Sequence, residues 1–504
     1  MGAADLLAVL PLILIAATSI AVMLAIAFYR KHWIAAFITL AGLAVSFASI
    51  FVADPYTPRN VTGLLVIDGY ALFFIGLIFA GTFTVALLAY GYLEQKENAG
   101  MEREEFYLLL LLAASGGGVL AASSHFASFF LGLETLSVSL YALISYTRDS
   151  EKAVEAGVKY LILAAVSSAF LLFGMALIYA RLGTMEFSAI AAMAPGAYAM
   201  KDPVFLGALA LIAAGIGFKL AVAPFHMWTP DVYEGAPAPV AAFVATVSKG
   251  AVFALFLRYF ASVDIHQSSS LMLAVAVISI GSMFIGNLLA LLQDNVKRIL
   301  AYSSIAHLGY LLVAFLAAGA LRATAVAYYL VSYFITMLGA FGVVTVLSGK
   351  RRAGGQGEFE DLQDYRGLAA SRPVIAAVFT AMLFSLAGMP LTAGFIGKFY
   401  VMAAGAGSAL WALIIALAVN SAIGLFYYVR VIVAMYSKEE AGFSGGGKVE
   451  GIPVPAAAAA VISGAAIPLG DGLVLAGLTL ALVWFGVYPP TLLHIIQKAL
   501  HGLM

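Results

Sequence analysis

Long runs of uncharged, mostly apolar residues dominate the chain, and short polar segments separate them. A helix needs about 20 such residues to cross the hydrocarbon core of a bilayer, so each run predicts one or two membrane-spanning helices. The pattern therefore predicts an all-α polytopic membrane protein with about 14 transmembrane helices. The predicted spans are residues 6–29, 33–53, 69–93, two within 106–147, 158–180, 203–223, 239–257, 267–293, 299–321, 323–349, two within 373–429, and 472–488.

Two of these runs are long enough for a helical hairpin. The polar triplet 123–125 marks the turn in the first run, and the glycine-rich region 405–407 marks it in the second. A further uncharged stretch, residues 451–470, contains Pro453, Pro455 and Pro468, which make it a weak membrane segment. We interpret this stretch as a loop or a segment that lies on the membrane surface.

Composition agrees with the pattern and excludes several kinds of site. Hydrophobic residues make up 63% of the 504 residues and charged residues only 10%, whereas soluble proteins carry about 25% charge. The 26 basic and 26 acidic residues cancel, which argues against nucleic acid as a partner. The chain has no cysteine, so it contains no disulfide and no cysteine-ligated iron–sulfur or zinc site.

The distribution of Lys and Arg predicts the orientation of the helices. When the N-terminus is placed outside, most of the loop Lys and Arg residues, Lys297 and Arg298 among them, fall on the inner side. The largest inner loop, residues 350–372, then carries the most positive charge. We therefore expect both termini to face the outer side of the membrane.

Four charged residues lie within predicted spans and not at their ends: Glu134, Lys219, Lys249 and Lys398. Each such charge costs about 2.5–3.5 kcal/mol to place in a membrane. A basic residue near a helix end can extend its charged group to the lipid headgroups, which suits Arg430 but not residues at mid-span. The four charges therefore indicate an ion pathway.

Two of the lysines lie beside helix-breaking residues. Lys219 precedes Pro224, and Lys398 follows Gly388 and Pro390. Broken helices at corresponding positions of two halves are typical of ion sites in transporters built from inverted repeats. The seventh and twelfth spans are five apart, which predicts two inverted five-helix repeats, helices 4–8 and 9–13. The predicted divisions are an N-terminal three-helix segment (1–105), a first repeat (106–262), a second repeat (263–437), and a loop with the C-terminal helix (438–504).

Four stretches resemble a known family. Residues 129–179, 217–243 (GFKLAVAPFHMWTPDVYEGAPAPVAAF), 293–310 (QDNVKRILAYSSIAHLGY) and 386–401 (LAGMPLTAGFIGKFYV) are similar to the antiporter-like membrane subunits of bacterial NADH-quinone oxidoreductase, respiratory complex I. Among these subunits the chain most resembles subunit N. The larger relatives carry a long lateral C-terminal helix, which has no counterpart in this tail.

The resemblance implies a proton pathway across the membrane arm of complex I, coupled to quinone reduction elsewhere in the complex. We expect Glu134 to hold a proton on Lys219 while the two are paired and to release it when the pair loosens. Asp231, by contrast, is expected to be a solvated or capping group. The implied path residues are Glu134 and Lys219 as a charged pair, Lys249 as the connecting lysine, Lys398 as the exit-side lysine, Lys159 at the start of the sixth helix, and His307 as a relay.

The resemblance also implies partners and cofactors. The expected partners are neighbouring antiporter-like and small membrane subunits of the complex, protons, and the lipid of the bacterial inner membrane. FMN, iron–sulfur clusters and quinone are expected in other subunits, with no cofactor in this chain. The seven histidines are scattered without the spacing of metal ligands.

Two other interpretations stay open. The same module occurs in multi-subunit cation/proton antiporters and membrane-bound hydrogenases, and only the partner proteins distinguish these assemblies. Alternatively the chain is a membrane spacer whose charges align helices against their neighbours. Four charges at mid-span argue against the spacer.

Overall fold

The computed structural model describes residues 2–94, 102–193, 202–263, 268–319, 321–348, 358–437 and 467–500. Nearly all of these residues are helical. The helices are α1 (Ala3–Ala8), α2 (Leu10–Phe28), α3 (His32–Ala53), α4 (Gly69–Glu94), α5 (Glu105–Ala122), α6 (Phe126–Ile144), α7 (Glu151–Leu182), α8 (Phe187–Met193), α9 (Pro203–Leu220), α10 (Trp228–Gly235), α11 (Ala238–Phe243), α12 (Lys249–Val263), α13 (Ser269–Leu291), α14 (Val296–Leu316), α15 (Leu321–Ser348), α16 (Leu368–Ser371), α17 (Pro373–Ala387), α18 (Ala393–Gly407), α19 (Trp411–Tyr436), α20 (Leu469–Val487) and α21 (Pro490–Leu500).

Short irregular elements join some of these helices. A π-helical turn, Val244–Ser248, links α11 to α12, so that the two form one continuous span. The antiparallel strands β1 (Arg59–Val61) and β2 (Leu65–Ile67) form a hairpin before α4, with Asn60 opposite Val66. Two short 3₁₀ turns, Asp54–Tyr56 and Leu362–Tyr365, complete the described elements.

The predicted polytopic all-α architecture is confirmed. Within the described residues, 13 helices are long and apolar enough to cross a membrane. The twelfth predicted span is not among them because it consists of two half-helices, α17 and α18, of 15 residues each. Counted as one broken helix, the pair brings the number of spans to the predicted 14. Of the weak segment 451–470, residues 451–466 lie outside the described residues.

Some boundaries differ from those predicted. The sixth span begins at Glu151 and not at residue 158, because Ser150 caps the helix and its charged first turns bind other charged side chains. The predicted turn at 123–125 is confirmed. The second predicted turn lies slightly later, since α18 continues through Gly407. Charge alone therefore places a span but not its helix ends.

The link between α5 and α6 is tied to the segment before α8. Phe126 N donates to Met185 O and Phe187 N donates to Ser124 O, both at 2.9 Å. The first residues of α6 therefore pair, strand-like, with the connection that follows α7.

The same arrangement recurs between α13 and α14. Val296 N donates to Glu360 O at 2.6 Å, and Leu362 N donates to Asp294 O at 2.8 Å, so the start of α14 pairs with the connection that follows α15. The repeated pattern supports a two-repeat organisation. The boundaries of the two repeats stay a prediction.

The middle of the bundle is formed by the α11–α12 span, α14 and α15. The most apolar stretches of α15 and of the α11–α12 span are entirely buried, whereas that of α20 is 22% buried. Peripheral helices expose large apolar side chains such as Phe170 of α7 and Phe426 of α19, as expected of lipid-facing surfaces. The charged residues predicted at mid-span therefore lie next to or within the most enclosed part of the protein.

Candidate functional site

Two helix breaks shape the site. α9 is followed by Ala221 with φ 60°, and α17 is followed by Gly388 with φ 85°, both left-handed conformations that stop a helix. A Cβ atom on Gly388 would come 2.8 Å from Cδ of Lys398, so glycine serves both the backbone turn and the close approach of the lysine. Both predicted broken helices, the seventh and the twelfth, are thus present.

Lys219 lies in the last turn of α9 and is buried. Its Nζ donates to Ser137 Oγ of α6 at 2.7 Å and lies 5.5 Å from the centre of the Tyr160 ring. The carbonyl end of a helix and an aromatic face both favour a cation.

Glu134 lies one turn before Ser137 on α6 and is half-buried. Its Oε1 accepts a hydrogen bond from Ser168 Oγ of α7 at 2.6 Å. We expected a direct pair with Lys219, but the ion pairs within 4.0 Å among the described residues do not include these two side chains. Each of the two charges is instead bound by a serine hydroxyl.

Lys249 begins α12, directly after the π-helical turn, and is buried. Its Nζ donates to Ser304 Oγ of α14 at 2.6 Å and lies 5.4 Å from the centre of the Tyr233 ring. The Tyr333 hydroxyl is 2.7 Å from the same Ser304 Oγ. Lys249 is therefore joined through one serine to the helices of the second half.

His307 lies one turn after Ser304 on α14 and is buried. Its Nδ1 is 2.7 Å from the Tyr329 hydroxyl and its Nε2 is 3.2 Å from the Tyr428 hydroxyl. His307, Tyr333, Thr336 and Ser385 line a small cavity. Its volume is about 10 Å³, counted as the space that the centre of a water molecule can occupy. That is room for about one water beside the histidine.

Lys398 lies on α18 and reaches back across the break. Its Nζ donates to Ala387 O, at the end of α17, at 2.9 Å and to Ser421 Oγ of α19 at 2.8 Å. The ring of Tyr310 lies 5.1 Å from the same nitrogen. The lysine thus caps the carbonyl end of the preceding half-helix.

α14 connects the central lysines. Ser304, His307 and Tyr310 are spaced three residues apart and lie on neighbouring turns. Ser304 binds Lys249 and the Tyr310 ring faces Lys398, while the His307 and Tyr310 rings are 5.4 Å apart. α14 therefore carries polar groups from Lys249 to Lys398.

Lys159 lies apart from this group. It is partly exposed and pairs with Glu155 at 2.7 Å and Asp231 at 2.8 Å. Asp231 also pairs with Arg298 at 2.9 Å, so our interpretation of it as a solvated or capping group was incomplete. The structure brings together Lys249, His307 and Lys398, and places Lys159 in this separate ion-pair network.

The pKa of Asp231 reflects the network. Burial acts to raise it, but hydrogen bonds from Lys159 and Arg298 lower it, and the pKa lies below the ordinary value of 3.8. The pKa of Glu234 is lowered below 4.5 in the same way by Lys152 and Arg298. Both carboxyl groups are therefore ionised at neutral pH.

Several buried polar residues were missed from the sequence. Asn287 donates to Tyr310 OH and to Asn420 Oδ1, each at 3.1 Å, and accepts from Tyr427 OH at 2.9 Å. Lys297, which we had assigned to an inner loop, is also buried. An uncharged amide inside an apolar run was the available signal for Asn287. The sequence offered no such signal for Lys297, because this residue lies at a helix start beside other charged residues.

The part of the chain that the structure describes contains no group of three or more His, Cys, Asp or Glu residues placed to hold a metal ion. The arrangement consists of buried lysines bound to serine hydroxyl groups, with tyrosine hydroxyls, one imidazole and amide side chains in the same region. Such groups can pass protons between them when water completes the gaps.

Known proteins resemble this chain over nearly its full length. The family model described as NADH:quinone oxidoreductase/Mrp antiporter, TM, matches residues 123–424. A relative from Nitrosospira multiformis, named NADH-quinone oxidoreductase subunit N, is 53% identical over 507 residues, covering 99% of this chain and 97% of that protein. One of the same name from Ectopseudomonas mendocina is 44% identical, with the same coverage.

A solved structure agrees with these relatives. A chain of respiratory complex I from Thermus thermophilus with bound aureothin is 32% identical, with a TM-score of 0.72, and the match covers 94% of this chain and 97% of that one. The two sequence relatives are named as a subunit of NADH-quinone oxidoreductase, and the structure is one of respiratory complex I. All three matches cover both halves of the bundle. The chain therefore belongs to the family of antiporter-like membrane subunits that includes subunit N of NADH-quinone oxidoreductase.

Proposed function

We propose that this chain is the proton-translocating membrane-arm subunit of an NADH-quinone oxidoreductase. It is a non-redox subunit: FMN, iron–sulfur clusters and quinone belong to other subunits of the same enzyme. Protons move through buried side chains of this chain, driven by quinone reduction elsewhere. The path residues are Glu134, Lys219, Lys249, His307 and Lys398, with Lys159 at the start of the sixth helix.

One observation carries this proposal. Lys219, Lys249 and Lys398 are buried, and no carboxylate among the described residues lies within 4.0 Å of their ammonium nitrogens. Within the described ranges, the partners of each ammonium are neutral oxygens and aromatic faces. A buried charge with no opposite charge beside it is costly, so three of them in one bundle favour a use in ion transfer over a structural one.

The free energy needed to move a proton lies within the range that such side chains can supply. Moving one proton against about 200 mV costs roughly 4.6 kcal/mol. That energy equals a change of roughly three to four pKa units at the carrying group. Burial and the approach or withdrawal of a carboxylate can together change the pKa of a lysine by this amount. We assign this role to Glu134. In the present structure Ser168 binds Glu134 and Ser137 binds Lys219, so the two charged groups are held apart.

The test is proton pumping by variants in the native membrane. Lys219→Ala, Lys249→Ala and Lys398→Ala are made in the chromosome, with Lys31→Ala, an exposed residue, as the matched control. Inverted membrane vesicles then report NADH oxidation and acidification, and native gels report assembly. We expect the three variants to assemble and to lose most proton pumping, while the control pumps normally. Normal pumping in all three would disprove the pathway.

A mild-detergent purification separates this function from the second candidate. Flavin and iron–sulfur subunits that purify with the chain, together with NADH-quinone reductase activity, are the expected result. Small antiporter subunits without redox activity would instead assign the chain to a cation/proton antiporter, the other member named in the family description.

The proposed location is the bacterial inner membrane, with both termini on the outer side. The absence of cysteine makes a direct test possible, because any engineered cysteine is the single one in the chain. Arg148→Cys and Asn60→Cys place it at two exposed positions between spans, the first predicted inside and the second outside. A membrane-impermeant maleimide should label only Asn60→Cys in intact spheroplasts. Labelling of Arg148→Cys alone would reverse the orientation.

A further inference from the structure

A joint of two residues separates α10 from α11. α10 ends at Gly235 and α11 begins at Ala238. The joint leaves carbonyl groups at the end of one helix and amide groups at the start of the next without partners inside the helices. In a buried position these groups need partners from elsewhere in the protein.

Lys297 of α14 supplies the partner for the carbonyl side. Its side chain is 1% exposed, and its Nζ donates to Glu234 O and to Ala236 O, both at 2.7 Å. The carbonyl end of a helix carries partial negative charge, so a cation stabilises it.

Glu358 supplies the partner for the amide side. This residue is also buried, and it accepts a hydrogen bond from Ala238 N, at the start of α11, at 3.2 Å. The amide end of a helix carries partial positive charge, which suits a carboxylate. Glu358 also pairs with Lys297 at 2.7 Å and accepts a hydrogen bond from Tyr92 of α4.

The two charges thus hold both sides of one joint, and both come from outside the predicted first repeat. Each lies at the helix end whose partial charge is opposite to its own. A simple ion pair would not require this placement. We call Lys297, Glu358 and the joint residues Ala236 and Pro237 the cross-repeat clamp.

The clamp lies in register with the candidate proton path. Lys297 and Ser304 are seven residues apart on α14, two turns along one face. Ser304 binds Lys249, which follows the joint on the continuous α11–α12 span, and Tyr233 of α10 lies 3.3 Å from Ser304. A shift of the joint would therefore move Lys249 and Tyr233 relative to Ser304.

We propose that Lys297 and Glu358 are positioning residues that fix the joint and thereby hold Lys249 against Ser304. This inference rests on the proposed proton-translocating function. The pair does not itself carry protons. Its role is to set the geometry of the step between the first and the second half of the path.

The test uses the whole complex in inverted membrane vesicles and measures protons pumped per NADH oxidised, normalised to assembled complex. We expect Lys297→Met and Glu358→Gln to lower this ratio by about half or more, since displaced coupling residues commonly change coupling several-fold. Lys31→Met, an exposed lysine, is the control and should leave the ratio unchanged.

Two further variants separate positioning from ion pairing. The exchange Lys297→Glu with Glu358→Lys keeps two opposite charges but places each at the wrong helix end, so it should not restore pumping. In a Ser304→Ala background, Lys297→Met should lower the pumping ratio little further, because both changes act on one contact. Full recovery by the exchange, or additive losses, would overturn the proposal.

The remaining outcomes are also decisive. If Lys297→Met fails to assemble, Glu358→Gln decides, because glutamine has nearly the size of glutamate and removes only the negative charge at the amide end of α11. A normal ratio in assembled Glu358→Gln, beside a loss in Lys249→Ala, would disprove the clamp and leave the proton path intact. A normal ratio in Lys219→Ala, Lys249→Ala and Lys398→Ala together would disprove the proposed function instead.

Discussion

The ammonium nitrogen of Lys249 donates to the hydroxyl oxygen of Ser304 at 2.6 Å. The two residues are 55 positions apart and belong to the two predicted repeats. Ser304 is at the same time 2.7 Å from the Tyr333 hydroxyl and lies one turn from His307. One serine therefore joins the two halves of the candidate path, and its removal should have a specific effect.

Ser304→Ala should reduce proton pumping without preventing assembly. Hydrogen bonds to charged groups contribute about 1.5–3 kcal/mol, and the Lys249 ammonium would lose this one. Pumping per NADH oxidised in inverted vesicles is the measurement. Ser279→Ala is the control, because Ser279 is an equally buried serine of α13 whose hydroxyl donates to the backbone oxygen of Gly309 and not to a lysine among the described residues. Equal losses in both variants would contradict a particular role for Ser304.

Ser137→Ala should impair pumping more than Ser139→Ala. Ser137 accepts the hydrogen bond of Lys219, whereas Ser139, on the same helix and also buried, donates to Thr135 O of its own helix. The measurement is again the pumping ratio in assembled complex. If the two variants behave alike, Lys219 does not depend on its serine and the Glu134–Lys219 step must be revised.

Gly394→Ala should destabilise the broken twelfth helix. A Cβ atom at Gly394 would overlap the carbonyl oxygen of Ser385 on α17, and overpacking of this kind costs about 1–3 kcal/mol. Gly407→Ala, in the same helix, meets no atom within 4 Å and is the matched control. We expect less assembled complex on native gels, or a lower melting temperature, only for Gly394→Ala. An unchanged Gly394→Ala complex would mean that α17 and α18 separate easily.

Asp231→Asn should lower the melting temperature of the purified complex by an amount that is constant at neutral pH. The pKa of Asp231 in the folded protein is below 3.8. A lowered pKa gives stability that is fully present above the unfolded value and is lost as the pH falls through the folded value. The difference from the unaltered protein should therefore hold between about pH 5 and pH 8 and shrink only in stronger acid.

Glu155→Gln serves as the comparison for Asp231→Asn. Glu155 also pairs with Lys159, but its side chain is 64% exposed. Its substitution should change the melting temperature less, since exposed ion pairs contribute little. A melting-temperature difference for Asp231→Asn that changes steeply near pH 6 would show that another group titrates in this network.

Much of the fold was predictable because hydrophobicity is a local property. The long apolar runs located the spans, and glycine and proline located the breaks near Lys219 and Lys398, since each signal acts over a few residues. The helix ends were less accurate: α7 begins seven residues before its predicted start, as Ser150 caps a charged first turn. Capping depends on single side chains, which hydropathy does not register.

The residues of the candidate site were noticeable in part for the same reason. Glu134, Lys219, Lys249 and Lys398 were noticeable because a charge inside an apolar run is rare. Lys297 was not, because its helix starts beside other charges, although it is as buried as Lys249.

The sequence by itself determined that this is a multi-pass helical membrane protein of the antiporter-like subunit family, with buried lysines and two broken helices. Only the tertiary structure decided what each lysine meets. Lys219 binds Ser137 from 82 residues away, and not Glu134 directly, and Lys297 holds a joint 61 residues away. Such contacts depend on which helix faces pack together, and packing of helices distant along the chain leaves no local mark in the sequence.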